Sequence, residues 1–234
     1  MDVFSELREF IMLRRTICAV ALAIALVPSA LAAGDAGICT PETVGAAAAA
    51  RDGSAETLFT RPEAGVPANK RTQRGLYATA TDAYEMVRED AAHVLFIDVR
   101  TRGELQFIGM PTLVDAHVPF LIETDPPQWD EAASTFKLAP NPDFVAAVDK
   151  RLAQKGLTKD ATVIVICQGG LRAARAVDAL TQAGYARAYA MIEGFEGDPM
   201  AEGPRKGERI VNGWRNAGLP WTARLDRARM YGVN

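Results

Sequence analysis

The chain has 234 residues, 49% of them hydrophobic and 24% charged, and a formal net charge of −3. That length suits one good-sized domain with extra segments, and the composition is that of a soluble globular protein. A net acidic chain offers no polyanion-binding signal, which argues against a nucleic-acid partner. Two histidines, His93 and His117, and three scattered cysteines, Cys18, Cys39 and Cys167, give no metal-ligand spacing, so no metal site or cofactor is expected.

The N-terminus has the layout of a secretory signal. Arg14 and Arg15 precede an apolar run over residues 17–27, then Pro28, Ser29 and a small-x-small site at residues 30–32. The run is shorter than the roughly 20 apolar residues that span a bilayer. The expectation is cleavage after Ala32, an exported, periplasmic protein and no stable membrane span afterwards; an uncleaved anchor is the alternative. The start is either Met1 or Met12, the latter giving a basic Met-Leu-Arg-Arg opening. Cleavage removes Cys18 and leaves Cys39 and Cys167. Export to an oxidising compartment allows a disulfide between them, but the reading favoured is two reactive or free thiols.

Residues 33–74, rich in Ala, Gly, Pro and charge, read as an arm or linker. Residues 76–79 suit a short strand, and Thr81 suits the cap of a helix to about residue 91. Residues 94–99 form a continuous apolar run ending at an acid, which fits a strand buried on both faces of a parallel sheet. A short helix over residues 102–107 and an apolar stretch over 116–122 follow. Residues 123–141, with three prolines and Trp129, read as an irregular excursion. Pro142 suits the first turn of a helix to about residue 154, with Phe144, Val145, Val148 and Leu152 on one face and Gly156 as its stop. Residues 162–166 make the next buried strand. Residues 171–183 suit a helix with Ala173, Ala176, Val177 and Leu180 inward and Gly184 as its stop. Residues 188–192 are a last strand. This alternation predicts an α/β fold, a mainly parallel central sheet flanked by helices on both faces. A domain over residues 75–222 and a C-terminal tail over 223–234 complete the expected organisation.

The sharpest chemical feature is the segment 163–173. A buried strand ends, Cys167 follows at once, then Gln168, Gly169 and Gly170, then a helix. Ligands in open α/β sheets bind outside the carboxyl ends of the strands. A Gly-rich turn entering a helix converges backbone N–H groups on one point, and the helix N-terminus adds positive potential. The constellation suits an anionic sulfur, thiolate or persulfide. A buried cysteine beside a tight turn is the plainer reading of Cys167 alone; the addition of Gly170 and Arg172 turns the balance towards chemistry.

At these residues the chain resembles the rhodanese family. Cys167, Gly170 and Arg172 meet its Cys-x-x-Gly-x-Arg motif, and Asp98-Val99-Arg100 with Glu104 meets a second element. The tail pattern, residues 194–198 and 213–221, is similar to that of bacterial single-domain members. The resemblance spans roughly residues 75–222. It implies a sulfurtransferase in which Cys167 takes a sulfur atom from a donor such as thiosulfate or a persulfide, holds it as a persulfide, and passes it to a thiol, to cyanide or to a protein acceptor. It further implies that Gln168, Gly169, Gly170, Leu171 and Arg172 cradle the substrate. Arg172 either contacts the donor or is tied into the structure. Asp98 and Arg100 read as a supporting brace, and His117 as packing. Ala173 stands where many members have Ser or Thr, and the loop lacks a lysine, so a polysulfide or protein persulfide donor is as compatible as thiosulfate. Related phosphatases have a longer loop; here four residues separate Cys167 from Arg172, a smaller nest. The alternative function is a non-enzymatic carrier or binding module with a dedicated partner, for which Trp129 and the arm are candidate contacts. Trp214 and Trp221 read as core or lid aromatics.

Overall fold

The computed structural model describes residues 65–233, all within one unit, Ala50–Asn234. The signal-like segment, Cys18, Cys39 and the arm before residue 65 lie outside the described residues. In chain order the elements begin with β1 (Tyr77–Ala78), α1 (Ala80–Glu89), β2 (Val94–Asp98), α2 (Arg102–Ile108), β3 (Met110–Pro111) and β4 (Ala116–His117). Next come β5 (Leu121–Glu123), β6 (Trp129–Asp130), β7 (Thr135–Phe136), β8 (Leu138–Pro140) and α3 (Phe144–Gln154). The last are β9 (Thr162–Ile166), α4 (Leu171–Gln182), β10 (Arg187–Met191) and β11 (Trp221–Thr222).

The central sheet has five strands in the order β1-β10-β9-β2-β4, every neighbouring pair parallel. β2 and β9 are buried at every position, because helices cover both faces. Side chains of a strand alternate between faces, so Leu95, Ile97, Val163 and Val165 join α3 and α4 in one core. Val94, Phe96, Ile164 and Ile166 join α1 and α2 in the other. This is the α/β architecture expected from the alternation of elements.

Several boundaries differ from expectation for local reasons. The cap of α1 is Thr79, not Thr81: its hydroxyl accepts from the Asp82 N–H and the Asp82 carboxylate accepts from the Thr79 N–H. That reciprocal box needs an acceptor three residues on, which Thr81 lacks, since Tyr84 stands there. Pro142 lies outside α3. The Asn141 side chain accepts from the Asp143 N–H at 3.0 Å, a turn that holds Pro142 ahead of the helix. The excursion over residues 123–141 contains paired strands: β5 pairs with β8 and β6 with β7.

Both flanks of the sheet are tied down. Lys70, 6% exposed, donates to the Ile192 carbonyl at 2.8 Å and to Asp198 at 2.6 Å, and Val66 enters the core beside α4. At the other end Arg229 donates to the carbonyls of Thr112 and Val114, and Arg151 to those of Ala228 and Met230. Among the described residues no helix is long and apolar enough to cross a membrane.

Candidate active site

β9 is the middle strand of the sheet, and Cys167 is the residue that leaves it. Because the neighbouring strands are parallel, the ends of β2 and β10 reach the same edge. Three segments therefore meet there: residues 98–101, 167–172 and 192–197. Cys167 is a free thiol, 1% exposed; Cys39, its partner in the disulfide alternative, lies outside the described residues. Its Sγ accepts from the Gly170 N–H at 3.1 Å and the Ala173 N–H at 3.3 Å. Both donors belong to the turn and first helical residues of α4, where N–H groups have no intrahelical partner.

The loop keeps its shape through the segment after β10. The Phe195 N–H donates to the Cys167 carbonyl at 2.7 Å and the Glu196 N–H to the Gln168 carbonyl at 3.0 Å. Gly170 caps α4 with φ of 96°, and a Cβ there would collide with the Ile192 carbonyl. Gly194, with φ of 68°, leaves no room for a Cβ against the Gln168 carbonyl. Sequence reasoning placed Gly170 in the loop; it did not place Gly194 against it.

Arg172 is tied into the structure. Its two terminal nitrogens reach Glu104 Oε2 at 2.6 Å and Oε1 at 2.5 Å. Glu104 is held in place by the capping box at Thr101 that starts α2. Burial opposes charge on both side chains. Their mutual hydrogen bonds and attraction more than offset it, holding the Glu104 carboxyl below its ordinary range and raising the Arg172 guanidinium. Leu171 is exposed, and Gln168 and Gly169 are half-buried.

Asp98 and Arg100 are both fully buried. Arg100 Nη2 donates to Asp98 at 2.6 Å and to the Gly109 carbonyl at 2.8 Å, and its guanidinium lies 4.3 Å from the Phe195 ring centre. The pair thus braces the ring whose own backbone holds the Cys167 carbonyl. His117 Nε2 donates to the Arg100 carbonyl at 2.7 Å; since a carbonyl only accepts, the proton sits on Nε2. Burial pushes this imidazole below its usual range, against the pull of Asp98 and of that hydrogen bond, and leaves it neutral near pH 7.

Arg209 is a residue that motif reasoning missed. Its Nη1 stands 2.8 Å from the point a Gly169 Cβ would occupy. Among the described residues no group of three His, Cys, Asp or Glu side chains could hold a metal. Trp214 is fully buried against Phe96 and Tyr84, while Trp221 is 42% exposed and edges onto Phe195.

A family model described as Rhodanese-like domain matches residues 79–198. Uncharacterized protein RC0915 of Rickettsia conorii is similar, at 25% identity over 142 residues, 61% of this chain and 93% of that protein. The RP600 homolog of Rickettsia rickettsii matches over the same shares at 25% identity. Among solved structures, that of Rv0390 from M. tuberculosis is 30% identical over 63% of this chain and 99% of its own, with a TM-score of 0.47. The polysulfide-sulfur transferase homodimer from Wolinella succinogenes is 21% identical over 63% of this chain and 77% of its own, with a TM-score of 0.36.

Proposed function

The chain belongs to the rhodanese-like domain family, and from that premise we propose that it is a sulfurtransferase working through a Cys167 persulfide. The observation that carries the reading is the Cys167 sulfur at the end of the central strand with the N–H groups of Gly170 and Ala173 directed at it. Two fixed donors favour a negatively charged sulfur and cost no reorganisation when charge arrives. In the loading step the Cys167 thiolate attacks the outer sulfur of a sulfane donor. The new S–S bond is made on Cys167, the donor's own bond to that sulfur breaks, and the leaving group departs with the bonding pair. In the discharge step cyanide or a thiolate attacks the outer sulfur and the Cys167 thiolate is restored. Neither step needs a metal or an added oxidant.

A nucleophile only 1% exposed favours a small donor over a bulky one. The second reading, a carrier that needs a dedicated protein, draws on a different observation. Trp129 and Phe136, 47% and 62% exposed, stack edge to face at 5.3 Å on the excursion that follows β4, an edge strand of the sheet. Export to the periplasm is also proposed, on the basic and apolar N-terminal pattern alone. Cell fractionation tests it, and a protein confined to the cytoplasm would end that part of the proposal.

Intact mass of the reduced protein after incubation with thiosulfate, and separately with polysulfide, tests the sulfurtransferase reading. A gain of about one sulfur atom, absent in Cys167→Ser and discharged by cyanide, is the expected outcome. No gain from either donor, with Cys167 reduced, moves the assignment to the partner-dependent carrier.

A further inference from the structure

Positive charge at the Cys167 loop is not where the loop motif puts it. Arg172 has both terminal nitrogens on Glu104, so the motif's own arginine presents a neutralised pair. A second guanidinium stands at the loop and comes from elsewhere in the chain. Residues 199–209 form a hairpin, closed by the Pro199–Arg209 bridge and by the hydrogen bonds joining Met200 to Glu208 and Gly207, each 2.9 Å. Arg209 is the residue at its returning end. Nη1 donates to the Gly197 carbonyl at 2.6 Å, which fixes the plane of the fork against Gly169. Nε and Nη2 have no acceptor among the described residues, and no carboxylate there pairs with Arg209. The side chain is half-buried, so its remaining donors are oriented and still reachable. Gly169 makes the approach possible, because any Cβ there would lie 2.8 Å from Nη1.

We propose that Arg209 binds the oxyanion end of thiosulfate at this site, so that the charge selecting the donor is supplied by the 199–209 hairpin. The inference rests on the sulfurtransferase reading. A planar guanidinium with free N–H groups matches two oxygens of a tetrahedral oxyanion at once, whereas a polysulfide offers no oxygen acceptors. Loading from thiosulfate joins its outer sulfur to Cys167 Sγ and breaks the S–S bond of the donor. Sulfite leaves with the electron pair, so negative charge collects on the group Arg209 holds. The other cations of the hairpin do not compete. Arg205 is paired with Glu208 at 2.7 Å, and Lys206 lies exposed at the tip.

The test follows the rate of Cys167 loading by intact mass in wild type, Arg209→Gln, Arg209→Lys and Lys206→Gln, with thiosulfate and with inorganic polysulfide as separate donors. Arg209→Gln is expected to raise the thiosulfate concentration for half-maximal loading about tenfold or more while changing polysulfide loading less than about threefold, the size of a lost charged hydrogen bond. Arg209→Lys should recover part of the loss, and Lys206→Gln should match wild type. An unchanged thiosulfate dependence in Arg209→Gln overturns the role of Arg209 and leaves the sulfurtransferase reading standing. An equal loss with both donors makes Arg209 a brace acting through Gly197 and overturns the proposal too. Wild type that loads from polysulfide alone removes thiosulfate as the ligand. Wild type that loads from neither removes the sulfurtransferase reading and this inference together.

Discussion

Around Cys167 each ionised side chain has a task fixed by its partner. Arg172 and Glu104, both with side chains 19% exposed, join the first turn of α4 to the first turn of α2. Removing the Glu104 charge would strand a largely buried guanidinium. Glu104→Gln is therefore expected to lower stability by about 2–3 kcal/mol, the scale of a charge-assisted hydrogen bond lost in a protected site. Urea unfolding measures it, and a midpoint equal to wild type would show that the pair contributes nothing net. The same variant should still load Cys167 at a reduced rate, since Gly170 and Ala173 N–H groups do not depend on the carboxylate. At this scale the loop was legible in the sequence: strand end, cysteine, glycine and helix start are all local signals. The partner of Arg172 was not, although Glu104 was recognised as part of a motif. Their meeting depends on how α2 packs, and no local pattern encodes that. Arg209 is more remote still, delivered by a hairpin with no periodicity to announce it.

Elements carry the site through their ends. The strand β10 delivers Gly194 to a place where the Gln168 carbonyl leaves no room for a side chain, and its φ of 68° is one that L residues resist. Gly194→Ala must therefore either strain the backbone or push the Cys167 loop away from the Phe195 and Glu196 N–H groups. We expect a loss of about 2 kcal/mol or more in stability, from strain of the kind costing about 1–3 kcal/mol per residue, with slower sulfur loading. Gly184→Ala, at the far end of α4 with no atom within 4 Å of an added Cβ, serves as the control; it carries the backbone strain without the collision. Equal loading by the two variants would show that the Gly194 contact does not position the loop. The long elements were legible nearly to the residue, β9 at both ends, because continuous apolar runs and helical spacing are physical signals of burial. Among the two-residue strands, β1 was read within residues 76–79, but β3, β6, β7 and β11 were not. β3 exists because β11 returns to pair with it, and β6 because β7 does; such pairings are tertiary facts. The Thr79 cap was readable in principle from the acid three residues beyond it.

For the whole molecule, the layered sheet followed from the alternation of strands and helices, while the way both flanks are held did not. A lysine in a segment rich in Ala, Pro and charge gives no hint that it will be buried on Ile192 and Asp198. Stability against pH is the property that sums over these hidden contacts. His117, held below its ordinary value by burial, is neutral in the fold when the unfolded chain has begun to take up a proton. Below about pH 6.5 the unfolded state thus binds more protons, and stability falls as pH falls until the folded imidazole titrates too. Glu104, held low by Arg172 despite burial, adds a second loss of the same sign. Its contribution is complete above the unfolded glutamate value, about 4.3, and disappears as pH drops through the folded one. Tyr185 acts at the other limit: burial and the hydrogen bond to Asp149 at 2.7 Å keep its phenol protonated. The unfolded phenol ionises near pH 10, so stability falls as pH rises beyond that point. Denaturant midpoints across this range should trace a dome with its acid limb beginning near pH 6.5. Replacing His117 with Gln, which keeps a donor for the Arg100 carbonyl and loses the titration, should move the start of that limb towards about pH 4–5, where the carboxylates of the unfolded chain protonate. A variant whose acid limb still begins where the wild-type limb does would show that His117 is not its origin, and would place the uptake of the first proton on another group.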